Sequence, residues 1–490
     1  MSKLLFQASD WSEAELLQAD GEIRRIAEDE LGLDTYENQY EIISSEQMLD
    51  AYSSTGLPMM YGHWSFGRMR AIESRNYHAG KNGLAYELVI NSDPCISYLM
   101  ETNTSTLQAL VMAHAGYGHN SFFKNNYLFK EGVNARFILD YLAYAKKYIA
   151  DCEQKYGYKP VENMLDAAHA LQDYSVEYSR RPSPLTKEET EERERLKREQ
   201  EAREIMLEWE VLAQRAPREA ALVPEKWPEE PEGNLLYFIE KHAPQLPQWK
   251  REILRIVRRI GQYLHPQGQT KVMNEGWATF SHFYIMNRLH EKELLSDGQM
   301  LEFYKNHAAV VNQGSGIHMD YFNPYALGLS MFTDIRRICE EPSEEDRKLF
   351  DFAGEKDWGA VMRWAAYNFR DESFIRQFLS PTVVAKFQMA TLTQEKSEYE
   401  VTHVAVSESH KEIRKMLADR YQYMLKVPEI KIVKVNRWGD RSMVLEHGHD
   451  GNSPLEGDIL DILKYVEYLW GYPVALSDPI GEGLRQVYTV

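Results

Sequence analysis

Apolar residues recur at three- and four-residue intervals along the chain as far as Pro381, and at alternate positions beyond it. Trp11, Leu16, Ile23, Ile26 and Leu31, set among acids, predict a helix over 10–32. An aromatic, glycine-bearing loop is expected at 57–80, beginning LPMMYGHWSFGRM. AYELVINS (85–92) predicts a strand, and Ser92-Asp93-Pro94 predicts the cap of a helix running from about 94 to Ala115. Further helices are predicted at 134–157, 160–178, 248–264, 271–292, 297–312 and 324–339. Past Pro381, VVAKFQMATL and YEVTHVAV predict paired strands, followed by a helix at SHKEIRKMLADRYQ. EIKIVKVN and DRSMVLEHG predict a second pair, GDILDILKYVEYLWG a second helix and PVALS a last strand.

This order predicts an α+β protein with a large, mainly α-helical N-terminal part containing a short edge strand. The C-terminal part reads as a ββα–ββα–β module, an internal duplication in structure more than in sequence. Two stretches interrupt the helical part. Residues 183–210 carry Glu and Arg at i, i+3 and i+4 spacing, the pattern of a solvated helical arm. Residues 216–233 hold prolines 217, 224, 228 and 231 and predict a linker or clamp. The expected divisions are therefore 1–182, 183–233, 234–380 and 381–490.

Charge narrows the partners. Lys plus Arg number 56 against 75 Asp plus Glu, a net charge of −19 over 490 residues. Such a surface repels phosphate backbones and argues against a general nucleic-acid binder. The basic residues near 191–203 alternate with Glu and make no basic patch. Cys95, Cys152 and Cys339 lie far apart and form no CxxC pair, which excludes a disulfide scaffold and a Cys-rich zinc ribbon. The N-terminal residues lack the apolar core of a signal peptide, and no run approaches the ~18 to 20 apolar residues of a membrane span. A cytoplasmic protein is expected.

Four stretches could carry chemistry. TKVMNEGWATFSHFYIMNRLHEK is apolar around most of its wheel, so it predicts a buried helix, and Glu275 and His282 share one line along it. A buried ionised Glu needs a cation, a metal or a proton. Seven residues place the two Cα atoms ~10 Å apart, too far for one metal to take both directly; a structural ion pair is the alternative. ALVMAHAGYGHNSFF holds His114 and His119 five residues apart, a spacing that misses one face of a regular α-helix unless Gly116 and Gly118 unwind the turn. Ala115 occupies the place where an HExxH helix carries its general base, and two core histidines are the alternative reading. On PVENMLDAAHALQDY, Glu162, Asp166, His169 and Asp173 form a polar stripe, which is either a wet face or, through Asp166 and His169, part of a helical di-metal site. GSGIHMDYFNPYALG supplies His318 and Tyr325 at a glycine-rich turn, where Tyr325 either stabilises an oxyanion or packs as a cap.

YGHWSFG (61–67), YELVINSDPCISYLMETN (86–103), AHAGYGHNSFFKNNYLF (113–129), MLDAAHAL (164–171), NEGWATFSHF (274–283) and NPYALG (323–328) resemble the stage V sporulation protein R (SpoVR) family over nearly the whole chain. The resemblance implies a cytoplasmic bacterial protein of spore cortex formation, or of stress and stationary phase in bacteria that form no spores. It also implies genetic association with a PrkA-type serine protein kinase and a von Willebrand A domain protein. More distantly, the chain is similar to gluzincin-type zinc peptidases. That likeness implies AYELVINS as the edge strand, His114 and His119 as the ligand pair and Glu275 as third ligand, with Glu87 a replacement for the missing base. The leading expectation is a zinc-dependent amide hydrolase acting on a peptidoglycan precursor or fragment, with His318 or Tyr325 on the oxyanion. The rival expectations are a di-iron protein using His119, Asp166, His169, Glu275 and His282, and a non-catalytic adaptor for the kinase and the von Willebrand protein.

Overall fold

A computed structural model describes residues 4–53, 57, 60–78, 87–176, 195, 227–228, 230–313, 322–389, 391–396, 401–407, 409–423, 428–437, 439–448, 455, 459–481 and 484–490. His318 and almost all of the predicted arm at 183–210 lie outside the described residues. The chain is α+β: a large helical region with a small three-stranded sheet, followed by C-terminal strands. No described helix is long and apolar enough to cross a membrane.

The three-stranded sheet consists of β1 (Asn38–Ile43), β2 (Glu87–Ile90) and β3 (Cys95–Met100). β3 lies in the middle, parallel to β1 and antiparallel to β2, which leaves β2 at an edge. The helix expected from 94 to 115 therefore starts late. CISYLM is the central strand, with Cys95, Ile96, Ser97, Leu99 and Met100 all buried. A short apolar run covered on both faces has no periodicity that separates strand from buried helix. The helix begins instead at Ser105, where the Thr104 hydroxyl accepts the Leu107 amide hydrogen. The expected loop at 57–80 also contains a helix, Trp64–His78.

The helices predicted downstream are found at Ile138–Tyr156, Tyr158–Ala170, Gln248–Gln269, Lys271–Glu291, Asp297–Val310 and Pro324–Glu340. Lys271–Glu291 is the central strut. Trp277, Phe280, Ile285, Met286 and Leu289 are buried along it, and only Phe283 of the predicted apolar set is exposed, at 37 %. Its first turn is held by Asp371, whose two carboxylate oxygens accept the Val272 and Met273 amide hydrogens at 2.9 Å each.

Glycines let neighbouring helices approach this strut to backbone contact. A Cβ at Gly118 would sit 2.5 Å from the Cα of Ala278, and one at Gly328 would sit 2.6 Å from the Cα of Gly276 and collide with the Val272 carbonyl oxygen. These contacts bind the strut to the segment carrying His114 and His119 on one side and to the Tyr325 helix on the other.

The C-terminal strands form two sheets. Thr391–Lys396 and Val401–Ser407 pair antiparallel, and a four-stranded sheet has the order Ile430–Val435, Met443–His447, Val474–Gly481, Leu484–Thr489. Its central pair is parallel and joined through the helix Ile459–Trp470. The first part of VVAKFQMATL is a helix, Pro381–Lys386, because Ser380 caps it and Pro381 takes its first position. Leu484–Thr489 is a strand that the sequence pattern did not predict. The two ββα halves rest on different apolar clusters. Ile413, Leu417 and Ala418 join the one containing Trp277 and Phe332, while Leu463, Val466 and Leu445 join the one containing Ile253 and Val257.

The close approaches define a stability test. Gly118→Ala and Gly328→Ala should each lower stability by ~1–3 kcal/mol through overpacking. Gly21→Ala, mid-helix with nothing within 4 Å of its added Cβ, should instead be neutral or stabilising. Urea unfolding of the three variants measures both signs.

Candidate metal centre

The residues predicted as a ligand pair sit in an unusual helix. Met112–His119 is π-helical and entirely buried, continuing the α-helix Ser105–Val111 and running on into Asn120–Asn125. Hydrogen bonding to the fifth residue widens the turn, so positions five apart come round to neighbouring directions. The spacing that misses on an α-helix converges here: the His114 and His119 rings lie 4.6 Å apart, edge to face. Tyr117 of the same segment and Tyr40 of β1 both donate to Asp20 Oδ1 at 2.8 Å, which anchors the widened turn to the first helix.

Two carboxylates face the imidazoles. Glu275 Oε2 lies 3.4 Å from His119 Nε2 and 3.7 Å from His114 Nε2. Glu87 Oε1, from the first residue of the edge strand β2, lies 3.2 Å from His114 Nε2. Ligand atoms of Glu87, His114 and His119 fall within 4.8 Å of one another, the span of a single ion's donor set. The two histidine side chains are 4–5 % exposed and the carboxylates 18–19 %, so the cluster's opening is on the carboxylate side.

Burial and mutual contact shift three of these groups. Burial pushes the Glu87 carboxyl up and Glu275 pushes it further, against the pull of His114 and His119, and it ends above the usual carboxylate range. Burial would also raise Glu275, but the His119 and His114 imidazoles outweigh it and hold this group well below that range. Burial alone would lower His119, yet Glu275 and Glu87 raise it above an ordinary histidine. Among the described residues, Glu87 Oε2, Glu275 Oε2 and His114 Nε2 are buried and make no hydrogen bond of good geometry, the last two atoms being met only by the 3.2–3.7 Å contacts given above. Three such atoms in one cluster cost several kcal/mol unless something bridges them.

Behind the imidazoles lies a supporting layer, of which sequence reasoning singled out only His282. His119 Nδ1 bonds Asn274 Oδ1 at 2.9 Å. His114 Nδ1 lies 2.8 Å from His282 Nδ1, and His282 Nε2 lies 3.0 Å from His307 Nδ1. His282 is thus placed behind His114 and not beside it, as its two-turn offset from Glu275 required. Burial drives His282 far down, the adjoining His114, His307 and His119 push the same way, and burial takes His307 to about 4. Asn274 could have been read from its place beside Glu275 in NEGWA. His307 carries no sequence signal, because only the packing of Asp297–Val310 on the strut brings it near.

His169 does not join these residues. Its Nε2 lies 2.6 Å from the Tyr61 hydroxyl and its ring 4.6 Å from the His63 ring. His63 in turn contacts Asp166 Oδ1 at 3.1 Å, and the Trp64 indole donates to the same oxygen at 2.6 Å. Asp166 and His169 therefore belong to a second polar cluster, built with YGHWSFG, and the di-iron set that combined them with His119 and Glu275 is not assembled. Burial and the neighbouring His63 lower His169 to about 4. Tyr325 lies in the first turn of Pro324–Glu340, its ring stacked 6.3 Å from that of His114. Ala115 is fully buried in the core, so no base follows the first histidine of the pair.

A helical protein with a strand-edge carboxylate, a histidine pair on a distorted helix and a glutamate on the strut defines the class. The SpoVR like protein family model matches residues 10–426, and the SpoVR-like C-terminal domain model matches 428–478. The chain belongs to the SpoVR family. It is 46 % identical over 460 residues to the uncharacterized protein YcgB of Escherichia coli (strain K12), covering 92 % of this chain and 89 % of that one. No solved structure matches the chain.

The Asp371 clamp sets the height of Glu275 in this cluster. Asp371→Ala leaves two buried amide hydrogens without an acceptor and should cost ~1–3 kcal/mol of stability, read by thermal unfolding.

Proposed function

We propose that His114, His119 and Glu275 hold a divalent metal, zinc in the leading reading and iron in the alternative, and that the protein is a metal-dependent hydrolase of amide bonds. The observation that supports this reading is the convergence of Glu87, His114 and His119 ligand atoms within 4.8 Å, with Glu275 Oε2 facing both imidazoles at 3.4 and 3.7 Å. Two imidazoles and a carboxylate are the donor set of an open catalytic zinc site. Such an ion supplies an acidified water and polarises a carbonyl.

The chain's own groups divide the remaining work. Glu275 Oε2 faces both Nε2 atoms and closes the ligand set. Glu87, on the edge strand and partly exposed, receives the proton of the attacking water in place of the absent HExxH glutamate, then returns it to the leaving amine. Tyr325, beside the His114 ring, donates its hydroxyl hydrogen to the developing oxyanion; His318 was the other candidate for that role. With Nε2 committed to the ion, His114 carries its hydrogen on Nδ1 and donates to His282, which donates from Nε2 to His307. His119 likewise donates from Nδ1 to Asn274. Both imidazoles are thus fixed in one tautomer and one rotation.

In this reading the protein works in the cytoplasm on a peptide of the cell-wall type, within a sporulation or stress programme. A PrkA-type kinase and a von Willebrand A domain protein would be its partners.

Plasma mass spectrometry of protein purified without chelators tests the centre. Near-stoichiometric zinc that is lost in His119→Ala and Glu275→Gln, but kept in Glu87→Gln, is the expected result. Metal-free wild-type protein overturns the reading, and loss of metal in Glu87→Gln would make Glu87 a ligand instead of the base. Competition with a chromophoric chelator checks the supporting layer: Asn274→Ala and His282→Ala should each weaken zinc affinity ~10- to 100-fold.

A further inference from the structure

A second site lies far from the histidines in sequence, where the helix Leu235–His242 meets the four-stranded C-terminal sheet. Trp227, Lys241, His242, Arg437, Arg441 and Trp470 line a cavity of about 370 Å³, with Pro244 and Val435 completing its wall. Among the described residues no carboxylate lines it, although acids outnumber bases across the chain and leave a net charge of −19. Of the neighbouring acids, Glu240 is held by Arg255 at 2.8 Å, Arg258 at 3.1 Å and Lys241 at 3.1 Å, and Glu232 accepts the Asn234 amide hydrogen at 2.9 Å. Burial lowers the His242 imidazole, and the charges of Arg437, Arg251 and Lys241 lower it further against the opposing pull of Glu232.

The aromatic side of the cavity is rigid. The Trp227 ring packs on Phe238 at 5.0 Å and edge-on to His242 at 5.1 Å, and its backbone carbonyl accepts the Val435 amide hydrogen at 2.8 Å. Trp470 is buried, with its indole hydrogen on the Arg441 carbonyl at 2.7 Å. The Arg437 guanidinium lies over the Trp227 ring at 5.1 Å, and Arg441 lies over Tyr472 at 5.6 Å. Both guanidinium groups thus lie over aromatic rings at the cavity's edge, where a planar ring and an anion can be met together.

We propose that this cavity binds a mononucleotide, its phosphate on Arg437, Arg441 and Lys241 and its base against the indole wall. Guanidinium forks match phosphate oxygens, and an aromatic wall accepts any base by stacking. The volume falls in the range of small-ligand sites. The cavity is walled by residues on both sides of the 426–428 boundary between the two family matches, so an occupant ties the C-terminal sheet to the helical region.

Isothermal titration of the full-length protein with AMP, GMP, adenosine and inorganic phosphate tests this. AMP or GMP should bind with a submillimolar Kd and raise the melting temperature. Arg437→Ala and Arg441→Ala should each weaken that binding at least 10-fold. Lys241→Gln, a change at an exposed helix position, should weaken it several-fold. Phosphate binding as tightly as AMP would make this a bare anion site, and adenosine binding as tightly would leave the cations without a role. Either result overturns the proposal, as does absence of binding or nucleotide binding that all three variants retain.

Discussion

Two carboxylates buried beside two imidazoles inside an apolar helical body are the constraint that organises this molecule. Taken singly, each group would be expelled from such an interior or neutralised. Together they lower the cost for one another, as the opposite displacements of Glu87 and Glu275 show. The surrounding architecture serves to keep them in register. A π-helical turn aims the imidazoles, an edge strand presents one carboxylate, and a clamped, glycine-packed strut presents the other.

Much of this was legible in the sequence, and what was not has identifiable physical causes. The long helices declared themselves by apolar period, and NEGWA marked Glu275 because a charged residue on a wholly apolar helix needs a partner. The histidine spacing was legible as an anomaly, and the glycines beside it were read as a source of local unwinding. The structure gives them a different use. Gly118 makes room for the strut at Ala278, and Gly116 makes room for Tyr40, while the change of hydrogen-bond pattern turns the rings. The central strand at 95–100 was missed because burial on both faces erases periodicity. His307 and Asp371 were missed because their roles exist only after helices far apart in sequence have packed.

The cluster of Tyr61, His63, Asp166 and His169 shows the opposite case. Its residues gave as strong a motif signal as any, and an acid three residues before a histidine is a spacing that metal sites use. In the structure these groups largely satisfy one another, through the tyrosine hydroxyl, the indole hydrogen and the two imidazoles. Spacing alone did not separate the two clusters. What separates them is whether polar atoms remain without partners once the helices are assembled, and at the first cluster they do.

The order in which the centre's parts leave the ribosome has its own consequence. The histidine pair is synthesised first, the strut with Glu275 more than 150 positions later, and the Asp371 clamp later still. At ordinary elongation rates the imidazoles wait on the order of ten seconds for their carboxylate. During that interval Glu87 and the two imidazoles stand without Glu275, whose Oε2 faces both imidazole Nε2 atoms in the finished fold. The cluster is thereby completed only in the nearly finished protein, once helices far apart in sequence have packed.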